Sequence, residues 1–136
     1  MSKRRKAREI ALQVLYAVDI SHVPWETSLA ETLERRKSTG EAADYAERLV
    51  RCVVDNRDVL DERVSGRLEN WELSRVSLVD RNILRIALAE LLFFPDTPKN
   101  VIINEAIELA HTYSSRDAGR FVNGVIDGLA AEARGN

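Results

Sequence analysis

The residues whose types and spacing could do chemistry are few, and spacing alone sets most of them aside. His22 and His111 stand far from each other and from the single Cys52, and no CxxC, HExxH or calcium-loop spacing occurs. No metal site is expected. His111, Ser115 and Asp117 are close enough in sequence to suggest a nucleophile triad. They straddle a helix boundary, however, without the strand-turn elbow that exposes a catalytic serine. Glu105 and Glu108 share a helix face at i, i+3 and read as solvated or cation-pairing carboxylates rather than as an acid and base. With no glycine loop to cradle phosphate, the sequence predicts neither an enzyme nor a cofactor.

Two constellations remain. Lys3, Arg4, Arg5, Lys6 and Arg8 crowd the first turns with only Glu9 to offset them, on a chain whose net charge is -2 from 20 Lys+Arg against 22 Asp+Glu. A local basic patch on a mildly acidic body points to an anionic partner at one place. At about 100° per residue, Ala7, Ile10, Ala11, Val14 and Val18 form a buried side. Arg5, Arg8, Leu12 and Tyr16 then fall opposite, with Gln13 beside them, so guanidinium groups and a ring could supply phosphate contacts and a stacking surface together. The competing reading is that Leu12 and Tyr16 pack under a second layer while the arginines are merely solvated. The second constellation lies near the C-terminus, where Asp117, Phe121, Gly124 and Gly128 share one line at the rim of an apolar helix face. Glycine costs a helix about 1 kcal/mol against alanine, so two on one stripe predict a close approach by another helix or a ligand.

The elements that must position these residues read as helices. There are 6 Gly and 3 Pro in 136 residues, and no alternating run long enough for a strand. This is the size of one domain with a real core. A helix from Arg4 to about Asp19 ends before Pro24, and a second runs from Trp25 to Lys37. After the Ser38-Thr39-Gly40 turn, Ala42, Ala46, Leu49, Val53, Leu60, Val64 and Leu68 make one stripe, which predicts one long helix kinked at the polar Asp55-Asn56. Trp71 and Leu73 are apolar plugs in a connector. Ser77 and Asp80 resemble a capping box, and Leu78 to Phe93 is apolar almost all round, as befits the buried centre of a bundle. Thr97-Pro98 starts the next helix, and Ser114 or Ser115 caps a last one from Arg116 to Arg134. The N-terminus lacks an uninterrupted apolar segment, and the lone Cys52 suits a reducing compartment, so a soluble cytoplasmic protein is expected.

Four strings, in order along the whole chain, carry a resemblance. They are Arg4-Arg5-Lys6-Ala7-Arg8-Glu9 with Ala11-Leu12-Gln13 and Leu15-Tyr16; Ile83-Leu84-Arg85-Ile86-Ala87 with Glu90-Leu91; Ile103-Asn104-Glu105-Ala106-Ile107-Glu108-Leu109-Ala110; and Phe121-Val122-Asn123-Gly124-Val125. With them the chain resembles the NusB family of bacterial transcription antitermination factors. The resemblance implies an all-α fold of about seven helices in one domain over 1–136, made of an N-terminal sub-bundle (1–70) and a C-terminal one (71–136). It also implies RNA binding shared with NusE, a small-subunit ribosomal protein. The pair would recognise the boxA element of leader transcripts, chiefly of ribosomal RNA operons, and help RNA polymerase read past terminators.

Carried onto this chain, the RNA surface would comprise Arg4, Arg5, Lys6, Arg8, Gln13, Asp117, Arg120 and Phe121. The NusE surface would include Tyr16 and the region of Asp80. The sequence departs from the family pattern at His111 and at Ala118-Gly119, which puts one RNA contact in question. The alternative function is a helical protein-interaction or homodimerisation module, with the glycine stripe and Tyr16 as its docking face.

Overall fold

The computed structural model describes residues 2–69 and 72–135, so the role expected of Trp71 lies outside it. Seven α-helices follow one another: α1 (Lys3–Ser21), α2 (Trp25–Arg35), α3 (Gly40–Asp55), α4 (Arg57–Ser65), α5 (Leu78–Phe93), α6 (Lys99–Tyr113) and α7 (Arg116–Arg134). A single 3-10 turn, Leu73–Arg75, precedes α5, and no strand occurs among the described residues.

Side-chain caps set several boundaries. The Ser2 hydroxyl accepts from the Arg5 amide, Ser77 from Asp80 and Ser115 from Ala118, which satisfies amides that a helix start leaves unpaired. The one long helix expected after Gly40 is in fact two. At Asn56 the side-chain amide turns back and donates to the Cys52 carbonyl at 2.8 Å, and the chain restarts as α4. Asn56 takes a non-helical backbone, φ -118° and ψ 17°, and this ends α3 where a kink was expected.

Helix α5 is buried continuously from Asn82 to Leu91 and packs against α1, α3, α4, α6 and α7. Helices α6 and α7 form a hairpin beside it, while α1 packs against α2, α3 and α5. One buried apolar cluster runs through all of them, including Ile10, Leu49, Leu60, Leu84, Leu88, Ile102 and Ile126. Apolar contact of this extent is the main source of stability.

A helix buried on every side has no solvent for its polar groups, and α5 carries Arg85 and Glu90 at 3% and 1% exposure. Each is met. Glu90 takes a bidentate pair from Arg8 at 2.6 and 2.8 Å and a hydrogen bond from the Tyr45 hydroxyl at 2.7 Å. Arg85 donates to Asp61 at 2.7 and 3.0 Å, to Asn82 at 3.0 Å and to Asp19 at 3.3 Å. The last carbonyls of α5 are capped from a distance by Arg134, which donates to Glu90 and Leu91 at 3.1 and 3.0 Å and to Phe94 at 2.9 Å. Arginine suits this work because its fork of donors engages several acceptors at once.

These partners overturn the expected facing of α1. Arg8 and Leu12 are each 3% exposed, not turned outward, and Leu15 and Glu9 are buried with them. Burial alone would lower the Arg8 pKa, but the hydrogen bonds and charge of Glu90 outweigh it and the guanidinium is held above its ordinary value. The Tyr45 phenol is pushed up, chiefly by burial and then by the Glu90 charge, so it stays a donor. Removing one partner of a buried pair strands the other. Arg8→Ala is therefore expected to lower unfolding free energy by about 3–5 kcal/mol in a urea titration, whereas Arg5→Ala leaves the midpoint nearly unchanged.

Candidate nucleic-acid interface

Helices α1 and α5 run antiparallel, since Arg8 meets Glu90 near the end of α5 while Asp19 meets Asn82 near its start. The basic end of α1 therefore sits beside the C-terminus of α5. Its cations divide into two groups there. Arg5 is held by Glu105 through contacts of 2.6 to 3.2 Å, and Arg8 by Glu90, with Glu105 a further 3.4 Å away. Lys3 reaches Glu41 at 3.2 Å on the surface, a pair that solvent largely screens. Arg4 and Lys6 make no ion pair among the described residues. Arg4 lies over the Tyr45 ring, 4.9 Å from its centroid, and reaches Thr97 at 3.4 Å.

A groove of about 260 Å³ between α1 and α6 is lined by Arg5, Arg8, Glu9, Glu105 and Glu108, with Leu109 and Thr112. Three carboxylates against two guanidinium groups make it a poor seat for phosphate. Further along the exposed face of α1 come Gln13, half-buried, then Tyr16 and Ile20, 41% and 56% exposed. Ile20 was missed in the sequence, although its i, i+4 spacing from Tyr16 was a usable signal.

The second constellation stands at the other end. Helix α7 runs parallel to α5, so that Phe121 lines a cavity of about 170 Å³ with Asp80, Ser77, Val76 and Arg75. Asp117 and Arg120 are nearly fully exposed and 3.6 Å apart. Phe121 and Asp80, expected on different surfaces, thus share one cavity. One Asp80 carboxylate oxygen is buried there without a donor. From Asp80 to Glu90 the α5 axis rises about 15 Å, so the two constellations do not form one compact patch. A ligand touching both has to run the length of α5.

Within the chain the glycine stripe is not a seam between helices. A side chain at Gly124 would meet nothing within 4 Å, and Gly128 is covered by the Arg67 side chain, which pairs with Glu132 at 2.5 Å. The close approach occurs instead at Gly119, where the His111 ring lies against the α7 backbone. His111 and Gly119 therefore form one feature. Only glycine leaves that space.

Sequence reasoning also missed Arg48. Its guanidinium lies 4.7 Å from the Phe94 ring centroid and 5.7 Å from that of Tyr45. Nothing in the spacing along α3 foretells this, because the site exists only where α1, α3 and the end of α5 converge. Among the described residues no cluster could hold a metal, and no helix is long and apolar enough to cross a membrane.

An all-helical single bundle with unpaired cations at one end and a half-buried ring over a cavity at the other defines a helical binding protein. The NusB family profile matches residues 5–131. A transcription antitermination protein NusB of Oceanobacillus iheyensis is 44% identical over 128 residues, covering 94% of this chain and 98% of that one. Its counterpart in Geotalea uraniireducens is 42% identical, covering 96% of each. Among solved structures, T. maritima NusB superposes with a TM-score of 0.89 at 38% identity, over 95% of this chain and 91% of that one. A complex of antitermination factors NusB and NusE with double-stranded RNA matches with a TM-score of 0.90 at 28% identity, over 97% and 98%. The chain belongs to the NusB family of transcription antitermination proteins.

Because Gly124 faces open space inside a helix, Gly124→Ala is expected to stabilise the free chain by about 0.5–1 kcal/mol in urea denaturation. A loss of stability would show that another part of the chain does approach it.

Proposed function

We propose that this chain is an RNA-binding antitermination factor that, with NusE, binds the boxA element of nascent, mainly ribosomal RNA, transcripts and promotes processive transcription by RNA polymerase. The observation that carries the reading is the near-complete superposition on a NusB in complex with NusE and RNA. The site geometry supports it further. Arg4 and Lys6 offer charge that no carboxylate among the described residues neutralises, and phosphate contacts are the largest sequence-independent term in RNA binding. Phe121 offers a half-buried face for an unpaired base, and such a stack contributes about 1–3 kcal/mol.

On this reading Arg4, Lys6, Gln13, Asp117, Arg120 and Phe121 face the RNA. Arg5 is shared between RNA and Glu105, and Arg8 acts by anchoring α1 rather than by touching phosphate. Tyr16, with Ile20 one turn on, forms an apolar contact for NusE that extends toward Asp80. Sequence-specific recognition of RNA favours unpaired bases, which suits a ring standing beside a cavity.

Two titrations test this. A boxA-containing RNA and a scrambled RNA are bound with and without NusE at two salt concentrations. The expected result is a boxA preference that NusE strengthens; absence of any preference overturns the RNA reading, and preference unchanged by NusE overturns the partnership. Phe121→Ala is expected to cost about 1–3 kcal/mol of RNA binding. Asp117→Asn separates two roles for that exposed carboxylate. Tighter binding to every RNA means that it repels phosphate, and weaker binding to boxA alone means that it accepts from a base.

A further inference from the structure

We infer that the cavity between α1 and α3 is a phosphate seat and that Arg48 is a phosphate-binding residue of the RNA surface. The inference rests on the RNA-binding reading above. It concerns a residue on a helix to which neither sequence nor resemblance assigned any contact.

The cavity holds about 300 Å³ and is lined by Lys3, Arg4, Glu41, Asp44, Tyr45 and Arg48. Two guanidinium groups converge on it from different helices, laid over the same ring: Arg4 at 4.9 Å and Arg48 at 5.7 Å from the Tyr45 centroid. Phe94 supports Arg48 from another side at 4.7 Å. Stacking on aromatic rings restrains long side chains before any ligand arrives and leaves their N–H edges free, so less rotamer freedom is lost on binding. The Tyr45 ring is itself fixed, because its hydroxyl is committed to Glu90 at 2.7 Å.

Charge favours this cavity over the α1/α6 groove. Arg48, like Arg4, makes no ion pair among the described residues, and Glu41 is engaged by Lys3 at 3.2 Å. That leaves Asp44 as the one lining carboxylate to oppose an anion. With Lys3, Arg4 and Arg48 against Glu41 and Asp44, the lining is net positive, whereas the groove holding Arg5 and Arg8 is net negative. A phosphate drawn to this end of the molecule settles on the α3 side.

The experiment measures binding of boxA-containing and scrambled RNA to wild-type, Arg48→Ala and Asp44→Asn chains across a salt series. Both positions are exposed, and matching urea midpoints confirm that the variants fold. Arg48→Ala is expected to weaken both RNAs by a similar factor, about tenfold at low salt, and to flatten the plot of log K against log salt by about 0.7, the value for one single-strand phosphate contact. Asp44→Asn is expected to tighten both. An Arg48→Ala chain with wild-type affinity and slope overturns this inference while leaving the functional reading in place. A wild-type chain that binds neither RNA overturns both.

Discussion

The buried pair between Arg8 and Glu90 is the contact on which the arrangement of the bundle depends. Helix α5 can serve as the centre only if its carboxylate has partners, and burying a carboxylate without them costs several kcal/mol. Arg8 gives Glu90 two hydrogen bonds, and Tyr45 gives it a third. The partners come from α1 and α3, so satisfying one side chain of α5 fixes two other helices against it. Such a pair adds less net stability than the apolar packing around it. Its consequence, we argue, is register, since sliding α1 by one turn would leave two charges buried and unpaired. Arg85 with Asp19 and Asp61 repeats the device near the start of α5, and Arg134 closes its end.

That constraint divides the charge of the first helix. A run of basic residues looks in sequence like one patch, yet Arg8 is structural, Arg5 is held by Glu105, and Arg4 and Lys6 remain available. A short basic run thus both docks a helix and leaves cations for a ligand. The second constellation, around Phe121, is placed by α7 at the opposite end of α5.

Much of this was legible in the sequence. The central role of α5 followed from an apolar pattern with no polar side, and the caps at Ser77 and at Ser114 or Ser115 from residue types that favour them, the structure placing the last at Ser115. What escaped depended on partners distant in the chain. Arg8 was set opposite the buried side of the α1 wheel, yet it is drawn inward by Glu90, 82 residues away. Leu12 was misplaced because α1 is wrapped on several sides, which a single-face wheel cannot represent. The break at Asn56 lies in the backbone conformation of one residue, which hydrophobic period does not report. Gly124 and Gly128 suggested a seam by spacing, but only the neighbours of each glycine decide whether a close approach exists, and that neighbour was His111 at Gly119.

On the proposed reading Arg8 sets the register of α1 on α5 through Glu90, and the phosphate contacts fall to other cations. The most direct test replaces both members of the pair with apolar residues, Arg8→Met with Glu90→Leu, which removes the charges without stranding either. The measurement is the salt dependence of RNA binding by this folded double variant beside the wild type. An unchanged slope of log K against log salt is the predicted result. A slope flatter by about 0.7 would mean that Arg8 neutralises a phosphate and belongs to the RNA surface instead.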